Sequence, residues 1–374
     1  MKTLQLVPAM EQGGVERGVV EMNRVIVRAG WRNVVVAAGG RLMEQIAADG
    51  GACVPCDVKS KNPLTYFSRA RKLRKILEAE RPDVVCAHSR VPAWLFLWAN
   101  RTLGIPWISF AHGANSISRY SRVMTLGDLT VTPSRYVADY LKDAYGLAEE
   151  KIRVIPRAIE AEKFDVAKLD RAFVEAKRAE WGTRGRFVVM GVGRITQLKG
   201  YDVLIDAVAK LAADVPNAKL VLVGEAEEAR KDVEIALREQ VASQGLADRV
   251  TFAGNQRKIA ECLSLADVVV SSNVRKPEAF GRSMAEALAM DKPVVACGFG
   301  GALDIVEDGV NGALVPPPAP DAPRGRTADA FAAALKRVAQ SDFGDLRTPA
   351  LEKFSFSRMA ESALSVYREL ARGI

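Results

Sequence analysis

The sequence contains very little histidine and cysteine. Its 374 residues include two histidines, His88 and His112, and five cysteines. So few histidines exclude a histidine-rich metal centre. Cys53 and Cys56 form a Cys-x-x-Cys pair, but no second pair or nearby histidine follows it, so we interpret the pair as part of a half-buried strand rather than a zinc or redox site.

Long apolar runs are lacking too. The longest candidates, such as residues 91–99, reach about half the length of a membrane-spanning helix. The N-terminal segment meets glutamate and glycine too early to supply the apolar centre of a secretory signal. We therefore expect a soluble chain that is made and kept in the cytoplasm.

The composition is that of an ordinary globular protein. The chain is 49% hydrophobic and 26% charged with a mean hydropathy of 0.00, which excludes disordered and fibrous classes. The net charge of +8 and the pI of about 9.2 favour an anionic partner, such as an acidic membrane surface or a phosphorylated substrate. Because the basic residues are scattered and no reader motif is present, we predict no nucleic-acid partner.

Short apolar runs alternate with amphipathic helical segments along the chain. This pattern predicts parallel sheets covered by helices on both faces. A charged helical stretch at residues 161–186 has no apolar run of its own, and we interpret it as the connection between domains. The predicted strands are residues 4–8, 34–37, 52–57, 83–87, 107–110 and 151–156 before this stretch, and 187–192, 219–223, 250–253, 268–271, 293–296 and 313–315 after it.

The predicted fold class is α/β, with two doubly wound Rossmann-like domains that face each other across a cleft. We place the N-terminal domain at residues 1–160 and the C-terminal domain at residues 161–356. A helix at residues 357–374 is expected to pack back towards the N-terminal domain. Ligands of such sheets bind beyond the carboxyl ends of the strands, which singles out three loops.

The first loop holds Gly13 and Gly14, between the first predicted strand and the first helix. Glycine lets the backbone approach a ligand closely, and the start of a helix offers free N–H groups to an anion. A tight turn without any ligand explains the same two residues, so both interpretations stay open.

The second loop carries Gly193, Arg194 and Lys199 between a strand and a helix. An arginine fork, a compact lysine charge and a helix dipole together suit a diphosphate. The dinucleotide fingerprint is not met, because its third glycine is replaced by Thr196. A solvated arginine and lysine on a surface loop are the alternative.

The third loop contains Glu278, followed eight residues later by Glu286. Within one helix they would lie about 12 Å apart, whereas a glycosidase pair needs about 5–9.5 Å. We therefore expect Glu278 in a loop, a helix that starts near Phe280 and Gly281, and Glu286 inside that helix. Adjacent sugar hydroxyls would suit the Glu286 carboxylate, and a structural pair with arginine or lysine is the alternative.

The Glu-x-Phe-Gly segment with its second glutamate resembles the signature of the retaining glycosyltransferases of family 4, which have the GT-B fold. The chain departs from the family's Pro-Asn-Gly near the domain junction, where it has Pro156-Arg157-Ala158, and Arg157 is a candidate contact for an anionic acceptor. Other family elements occur in order along the chain: Gly-Gly-x-Glu at 13–16, His112-Gly113, Val-Thr-Pro-Ser at 131–134, Gly-x-Gly-Arg and Lys-Gly within 191–200, Val-Gly-Glu at 223–225, Phe-x-Gly at 252–254, Gly300-Gly301 and Asp-Gly-x-Asn-Gly at 308–312.

The resemblance implies a role for each matching residue. Arg194 and Lys199 would hold the donor's diphosphate, and Glu286 its ribose hydroxyls. Glu278 and His112 would lie against the transferred sugar, while the base would pack near residues 254–258. The implied catalytic residues are His112, Arg194, Lys199 and Glu278, and the implied donor-binding residues are Gly13, Gly14, Gly193, Gly254, Lys258, Phe280, Gly281, Arg282, Ser283 and Glu286.

The implied activity is metal-independent transfer of a hexose-type sugar from a nucleoside-diphosphate sugar, with retention by front-face attack. The family needs no divalent metal, and the chain has no Asp-x-Asp triplet, so no cofactor is expected. The implied donor is linked to UDP or GDP, and the acceptor is an envelope glycan or glycolipid such as lipopolysaccharide core. The alternatives are a sugar-nucleotide epimerase of the same fold and a two-lobed ligand-binding protein without enzymatic activity.

A basic predicted helix bears on the acceptor. Residues 69–77 carry five cations, and with the helix extended to residue 81 they suggest peripheral contact with the anionic inner face of the cytoplasmic membrane. A solvated helix with Leu73, Ile76 and Leu77 facing the core is the alternative.

Overall fold

The computed structural model describes residues 1–11, 13–319 and 321–371. The chain folds into two compact units. Unit 1 comprises Met1–Arg157 together with Ser357–Ile374, and unit 2 comprises Ala158–Phe356. Each unit is built around its own sheet, as the sequence predicts for an α/β protein.

Unit 1 contains a parallel sheet in the order β3-β2-β1-β4-β5-β6-β7. The order reverses between β1 and β4, so the loops that follow these two strands lie side by side at the carboxyl edge. The elements are β1 Lys2–Leu6, α1 Gly14–Arg28, β2 Arg32–Ala37, α2 Leu42–Ala48, β3 Ala52–Pro55, α3 Tyr66–Glu80, β4 Val84–Ala87, α4 Arg90–Asn100, β5 Trp107–Phe110, β6 Leu129–Thr132, α5 Arg135–Tyr145 and β7 Ile152–Val154.

Strand β6 was not among the predicted strands. Two of its four residues, Thr130 and Thr132, are polar, so no continuous apolar run marks it in the sequence. Both threonines are nevertheless fully buried, and the hydroxyls of Thr130 and Ser109 lie 3.0 Å apart across the sheet. A hydrogen bond between neighbouring strands therefore replaces the missing apolar contact.

Unit 2 contains a parallel sheet in the order β10-β9-β8-β11-β12-β13. Here the order reverses between β8 and β11. The elements are α6 Arg171–Glu180, β8 Phe187–Val192, α7 Tyr201–Leu211, β9 Ala218–Val223, α8 Lys231–Ser243, β10 Val250–Gly254, α9 Ile259–Ser264, β11 Val268–Ser271, α10 Arg282–Leu288, β12 Val294–Cys297, β13 Gly312–Val315, α11 Arg324–Ala339 and α12 Arg347–Lys353. Helix α13, Phe356–Ala371, follows in sequence, and from Ser357 onwards it belongs to unit 1.

Residues 161–186 are not a bare connection. The whole stretch belongs to unit 2, and Trp181 at the end of α6 is 2% exposed in the core of that unit. Phe164 is buried in the same cluster. The interpretation as an interdomain connection was wrong because two isolated aromatic residues anchor the segment where an apolar run is absent.

The cysteines behave as structural residues. Cys53 lies in β3 and is partly buried, whereas Cys56 follows the strand and is buried. All five cysteines are free. Burial raises the pKa of the Cys56 thiol, which disfavours the thiolate that metal binding and redox chemistry require.

Candidate active site

The loops after β8 and β11 bring Lys199 and Glu278 together in unit 2. The Lys199 ammonium forms an ion pair and hydrogen bond with Glu278 Oε1, although 79 positions separate them in sequence. Both side chains are about three-quarters buried, with exposures of 24% and 25%. The pair therefore lies where the strand order of the sheet reverses, which is the usual ligand position in such folds.

The shape of the β8–α7 loop depends on Gly200. Its φ is +64°, and a Cβ there would lie 1.9 Å from the carbonyl oxygen of Ser272. Ser272 Oγ in turn donates to the Lys199 carbonyl at 2.8 Å. The Lys-Gly pair of the sequence is thus explained by a close approach of two loop backbones, which places Lys199 beside the loop after β11.

Tyr201, the first residue of α7, anchors the same loop. Its side chain is 3% exposed, and its hydroxyl donates to the Gly193 carbonyl at 3.2 Å. Burial and the nearby charge of Glu278 both raise the pKa of this phenol, so it remains a donor. A Cβ on Gly193 would lie 3.0 Å from Lys199 Cε, so glycine leaves room for the lysine to cross the loop.

The loop that carries Glu278 rests on two glycines of the segment Gly300–Asp304. Gly301 N donates to the Glu278 carbonyl at 2.8 Å. A Cβ on Gly301 would lie 2.5 Å from the carbonyl oxygen of Phe280, so only glycine fits under this loop. Phe280 is buried and packs edge-on against Phe354, with ring centroids 5.5 Å apart. Backbone contact and aromatic packing together hold Glu278 in position.

Helix α10 begins directly after Gly281, whose φ is +103°. Glu278 precedes the helix and Glu286 lies inside it, as the spacing predicts. Glu286 is partly buried between the buried apolar residues Met284, Ala285, Ala287 and Leu288. Arg282 and Ser283 form the first turn and are also partly buried.

Arg194 has an acidic partner that the sequence analysis did not identify. Its guanidinium pairs with Glu227 on the loop after β9, and its side chain is 73% exposed. A diphosphate at Arg194 therefore has to compete with a carboxylate, which is feasible because an exposed ion pair is weak.

Lys258 is also paired. Its ammonium lies 2.6 Å from Asp170 Oδ2 and 5.2 Å from the centroid of the Phe173 ring. The other Asp170 oxygen accepts from Phe173 N at 3.0 Å and caps α6. Lys258 holds the pKa of the Asp170 carboxyl below its usual range.

Gly254 lies at the end of β10, close to Lys258 in sequence. Its carbonyl accepts a hydrogen bond from Gly224 N at 2.8 Å.

In unit 1, Gly13 and Gly14 lie at the start of α1. Gly13 is the residue before the helix and has an extended φ of 165°, and a Cβ there would lie 2.5 Å from the Glu16 carboxylate. Gly14 is the first helical residue, and a Cβ there would meet no heavy atom of the described chain within 4 Å. Because neither glycine has a side chain, these two residues leave the backbone N–H groups at the start of α1 uncovered.

Both histidines belong to one chain of hydrogen bonds at the carboxyl edge of unit 1. Arg157 Nη2 lies 2.6 Å from His112 Nδ1, and His112 Nε2 lies 2.9 Å from His88 Nδ1. His88 Nε2 lies 2.7 Å from Gln5 Oε1, and Gln5 Nε2 donates to the Tyr367 hydroxyl at 3.1 Å. The chain links the loops after β4 and β5 to helix α13.

Arg157 determines the direction of these bonds. A guanidinium has donors only, so His112 Nδ1 accepts and His112 Nε2 carries the proton. His112 Nε2 therefore donates to His88 Nδ1, and His88 Nε2 donates to Gln5 Oε1. Burial and the Arg157 charge lower the pKa of His88 to about 3, and the same causes, with His88, lower the pKa of His112 well below its ordinary value.

This arrangement limits what His112 can do. Both of its ring nitrogens are engaged, one by Arg157 and one by His88, so the ring offers no nitrogen to a sugar in this conformation. Arg157, which the sequence suggested as an acceptor contact, lies against Gly18, where a Cβ would be 1.9 Å from Nη1. No local pattern marks Gly18, because a glycine that makes room for a distant arginine looks like any other glycine inside a helix.

Two family models match the chain. The model for Glycosyltransferase Family 4 matches residues 12–163, and the model for Glycosyl transferases group 1 matches residues 173–340. A D-inositol 3-phosphate glycosyltransferase from Segniliparus rotundus is 30% identical over 318 residues, which are 79% of this chain and 68% of that protein. The chain belongs to the group 1 glycosyltransferases.

Solved glycosyltransferases share this architecture. A glycosyltransferase from Rickettsia africae superimposes with a TM-score of 0.88 at 26% identity, covering 99% of this chain and 98% of that one. Anabaena Alr3699/HepE, in complex with UDP and glucose, superimposes with a TM-score of 0.81 at 22% identity, covering 98% and 99%. The predicted fold class, two Rossmann-like α/β domains of the GT-B type, is confirmed, and so is the assignment as a glycosyltransferase.

Proposed function

We propose that this glycosyltransferase moves a hexose-type sugar, with retention, from a nucleoside-diphosphate sugar to a hydroxyl of an envelope glycan or lipid-linked acceptor. The observation that carries the proposal is the pairing of Lys199 with Glu278 at the strand-order reversal of unit 2. We propose that the donor's diphosphate displaces the Glu278 carboxylate from the Lys199 ammonium.

Charge development on the leaving group explains why cations are needed. As the bond between the anomeric carbon and the diphosphate oxygen breaks, negative charge grows on that oxygen. Lys199 and Arg194 stabilise this charge more in the transition state than in the ground state, which is what accelerates the chemical step. In this proposal they replace a divalent metal, so no cofactor is required.

Retention follows from attack on the face that the leaving group departs from. The acceptor oxygen bonds to the anomeric carbon while the diphosphate oxygen leaves, and the acceptor proton passes to that leaving oxygen. Glu278, whose backbone carbonyl accepts a hydrogen bond from Gly301 N, serves to orient the donor sugar rather than to attack it. Glu286, one helical segment further on, binds the ribose hydroxyls.

The hydrogen bonds of the two histidines support proton transfer to the leaving phosphate. His112 is neutral with both ring nitrogens engaged, so the acceptor proton goes to the leaving phosphate rather than to an imidazole. The proposed place of Gly13, Gly14 and His112 near the donor comes from the resemblance described above.

The acceptor and its location are part of the same proposal. The exposed cations of α3, Arg71, Lys72 and Lys75, and the net charge of +8 favour an acceptor at an anionic surface, reached from the cytoplasm by peripheral contact. None of the helices in the described part of the chain is long and apolar enough to cross a membrane.

A ligand panel followed by a transfer assay tests the proposal. Unfolding temperature is measured with UDP, GDP, ADP and CMP, since a ligand of the folded state raises it. The sugar donor of the stabilising nucleotide is then supplied with and without an acceptor extract in the presence of EDTA, and the anomeric configuration of the product is read by NMR.

Retained configuration and undiminished transfer in EDTA are the expected results. Inversion, or loss of activity that added magnesium restores, would overturn the mechanism. Conversion of the donor to an isomeric nucleotide sugar without any acceptor would instead establish the epimerase alternative.

A further inference from the structure

Unit 1 contains a concave site that neither histidine lines. It is a groove of about 490 Å³ at the carboxyl edge of the sheet, formed by the β3–α3 connection, the start of α4 and the segment after β5. Ligands of doubly wound sheets bind at this edge. The lining residues are Ser60, Lys61, Asn62, Pro63, Tyr66, Phe67, Arg69, Val91, Trp94 and Tyr120.

Hydrogen bonds between the walls fix the aromatic part of the groove. The Tyr66 hydroxyl donates to the Trp94 carbonyl at 2.8 Å, and Trp94 Nε1 donates to the Tyr120 carbonyl at 3.0 Å. The Trp94 and Tyr120 rings are nearly parallel, with an interplanar angle of 17°. Because these contacts are internal, the aromatic faces are already in place before any ligand arrives.

Arg69 is a buried cation in the wall of this groove, and one of its nitrogens lacks a hydrogen-bond partner among the described residues. It is 8% exposed, with Nε donating to Thr65 Oγ1 and Nη2 donating to the Asn62 carbonyl, both at 3.0 Å. Its third nitrogen, Nη1, is buried and has no hydrogen-bond partner among the described residues. A buried charged donor without an acceptor is costly, so the Arg69 guanidinium gains when a ligand oxygen in the groove becomes its partner.

The charged residues that line the groove are all cationic. Lys61 and Arg69 line it, and none of its ten lining residues is acidic. Arg90, beside the groove, lies over the Tyr120 ring at 5.4 Å and donates to Ser121 Oγ at 3.1 Å. Cationic side chains combined with aromatic faces fit a molecule that has both an anionic substituent and an apolar or sugar-ring face.

We infer that this groove binds the acceptor of the transferase through an anionic sugar unit, with a phosphate or carboxylate on Arg69 and Lys61 and a sugar face on Trp94 or Tyr120. Its role as the acceptor site rests on the proposed function, whereas binding of an anionic sugar does not. Three lining residues belong to α3, the helix that also exposes Arg71, Lys72 and Lys75, so the anion belongs either to a soluble glycan or to the head of a glycolipid.

Fluorine NMR of protein labelled with 5-fluorotryptophan measures occupancy directly. The chain has five tryptophans, and Trp94→Phe assigns the signal of the one that lines the groove. Glucose 6-phosphate is expected to shift this signal, while glucose and inorganic phosphate at the same concentration shift it less. Vesicles that contain phosphatidylglycerol, whose head has a phosphate but no sugar, are the second arm, and a shift by these alone would overturn the assignment to an anionic sugar. If no probe moves the Trp94 signal, the inference is wrong.

Two variants on one helix separate the groove from general charge. Arg69→Gln is expected to weaken glucose 6-phosphate binding at least tenfold, and Arg69→Lys less. Arg71→Gln removes an exposed charge from the same helix, and we expect it to bind as the unmodified protein does. Equal affinity of the Arg69→Gln and unmodified proteins would overturn the inference.

The donor side provides the remaining control. UDP should raise the unfolding temperature of the Arg69→Gln protein as much as that of the unmodified protein, which shows that unit 2 is intact. If no nucleotide binds while Trp94 still responds to glucose 6-phosphate, the proposed function fails and the groove assignment stands. If nucleotides bind and Trp94 does not respond, only the groove assignment fails.

Discussion

Arg157 Nη2 lies 2.6 Å from His112 Nδ1. Because arginine only donates, this contact sets the tautomer of His112 and, through it, that of His88. A residue at the position where the family commonly has asparagine thus governs the protonation of both imidazoles in the protein. The consequence is visible to spectroscopy, because no other histidine contributes signals.

We expect both histidines to carry their proton on Nε2 at neutral pH. Long-range ¹⁵N–¹H spectra of protein labelled at histidine distinguish protonated from unprotonated ring nitrogens. In Arg157→Leu the obligate donor is lost, so His112 Nδ1 becomes able to take a proton and the pKa of His112 rises. Arg157→Lys keeps a donor and should preserve the native pattern. Unchanged spectra in Arg157→Leu would contradict the assigned role.

Acid should destabilise the fold through the same two residues. Their pKa values are lowered in the folded state. Below about pH 6.5 the unfolded chain therefore binds protons that the folded chain does not bind, and the free energy of unfolding falls as the pH falls. Each neutral histidine contributes a slope of up to about 1.4 kcal/mol per pH unit.

Urea unfolding at several pH values between about 6.5 and 5 measures this slope, in a window mostly above the ordinary carboxyl pKa values. His88→Gln removes one titrating group and is expected to roughly halve the slope. The same slope in both proteins would show that His88 is not held neutral in the folded state.

Lys199→Ala should lose about 10²–10³-fold in turnover, as when one preorganised charged donor is removed from a developing anion. The matched control is Lys210→Ala on α7, where the ammonium pairs with Asp329 at the surface and is 43% exposed. Such surface pairs contribute about 0–1 kcal/mol, so little change is expected. Initial transfer rates at saturating donor compare the two, and similar rates would remove Lys199 from the catalytic assignment.

Gly301→Ala should impair transfer without touching any charged residue. The new Cβ would lie 2.5 Å from the Phe280 carbonyl and 2.9 Å from the Ala279 carbonyl carbon, so the loop that carries Glu278 has to move. We expect a fall in turnover of at least tenfold. Gly325→Ala in α11, where no heavy atom of the described residues lies within 4 Å of the new Cβ, is the control and should leave the rate unchanged.

Local patterns were sufficient for most of the fold. Strands β5, β8 and β11 have the bounds that the sequence predicts, because each buries an apolar run that is continuous in sequence. Strand β6 and the anchoring of residues 161–186 were missed, since buried threonines and single aromatics leave no run to detect.

The loops were found from glycines and charges that lie next to each other in sequence. Their partners were not: Glu227 for Arg194, Asp170 for Lys258 and Arg157 for His112 each lie more than thirty residues away. The exposure of Arg194 and the hydrogen bonds at both ring nitrogens of His112 therefore cannot be predicted from the spacing of motifs.

The sequence by itself determined the α/β class, the loops that carry chemistry and the family, because these depend on residue type and short-range order. The tertiary structure decided which charges meet. Lys199 contacts Glu278 because β8 and β11 are neighbours in the sheet, and His112 contacts His88 because β5 lies beside β4. Strand order is set by the packing of the whole unit, so no local segment encodes it.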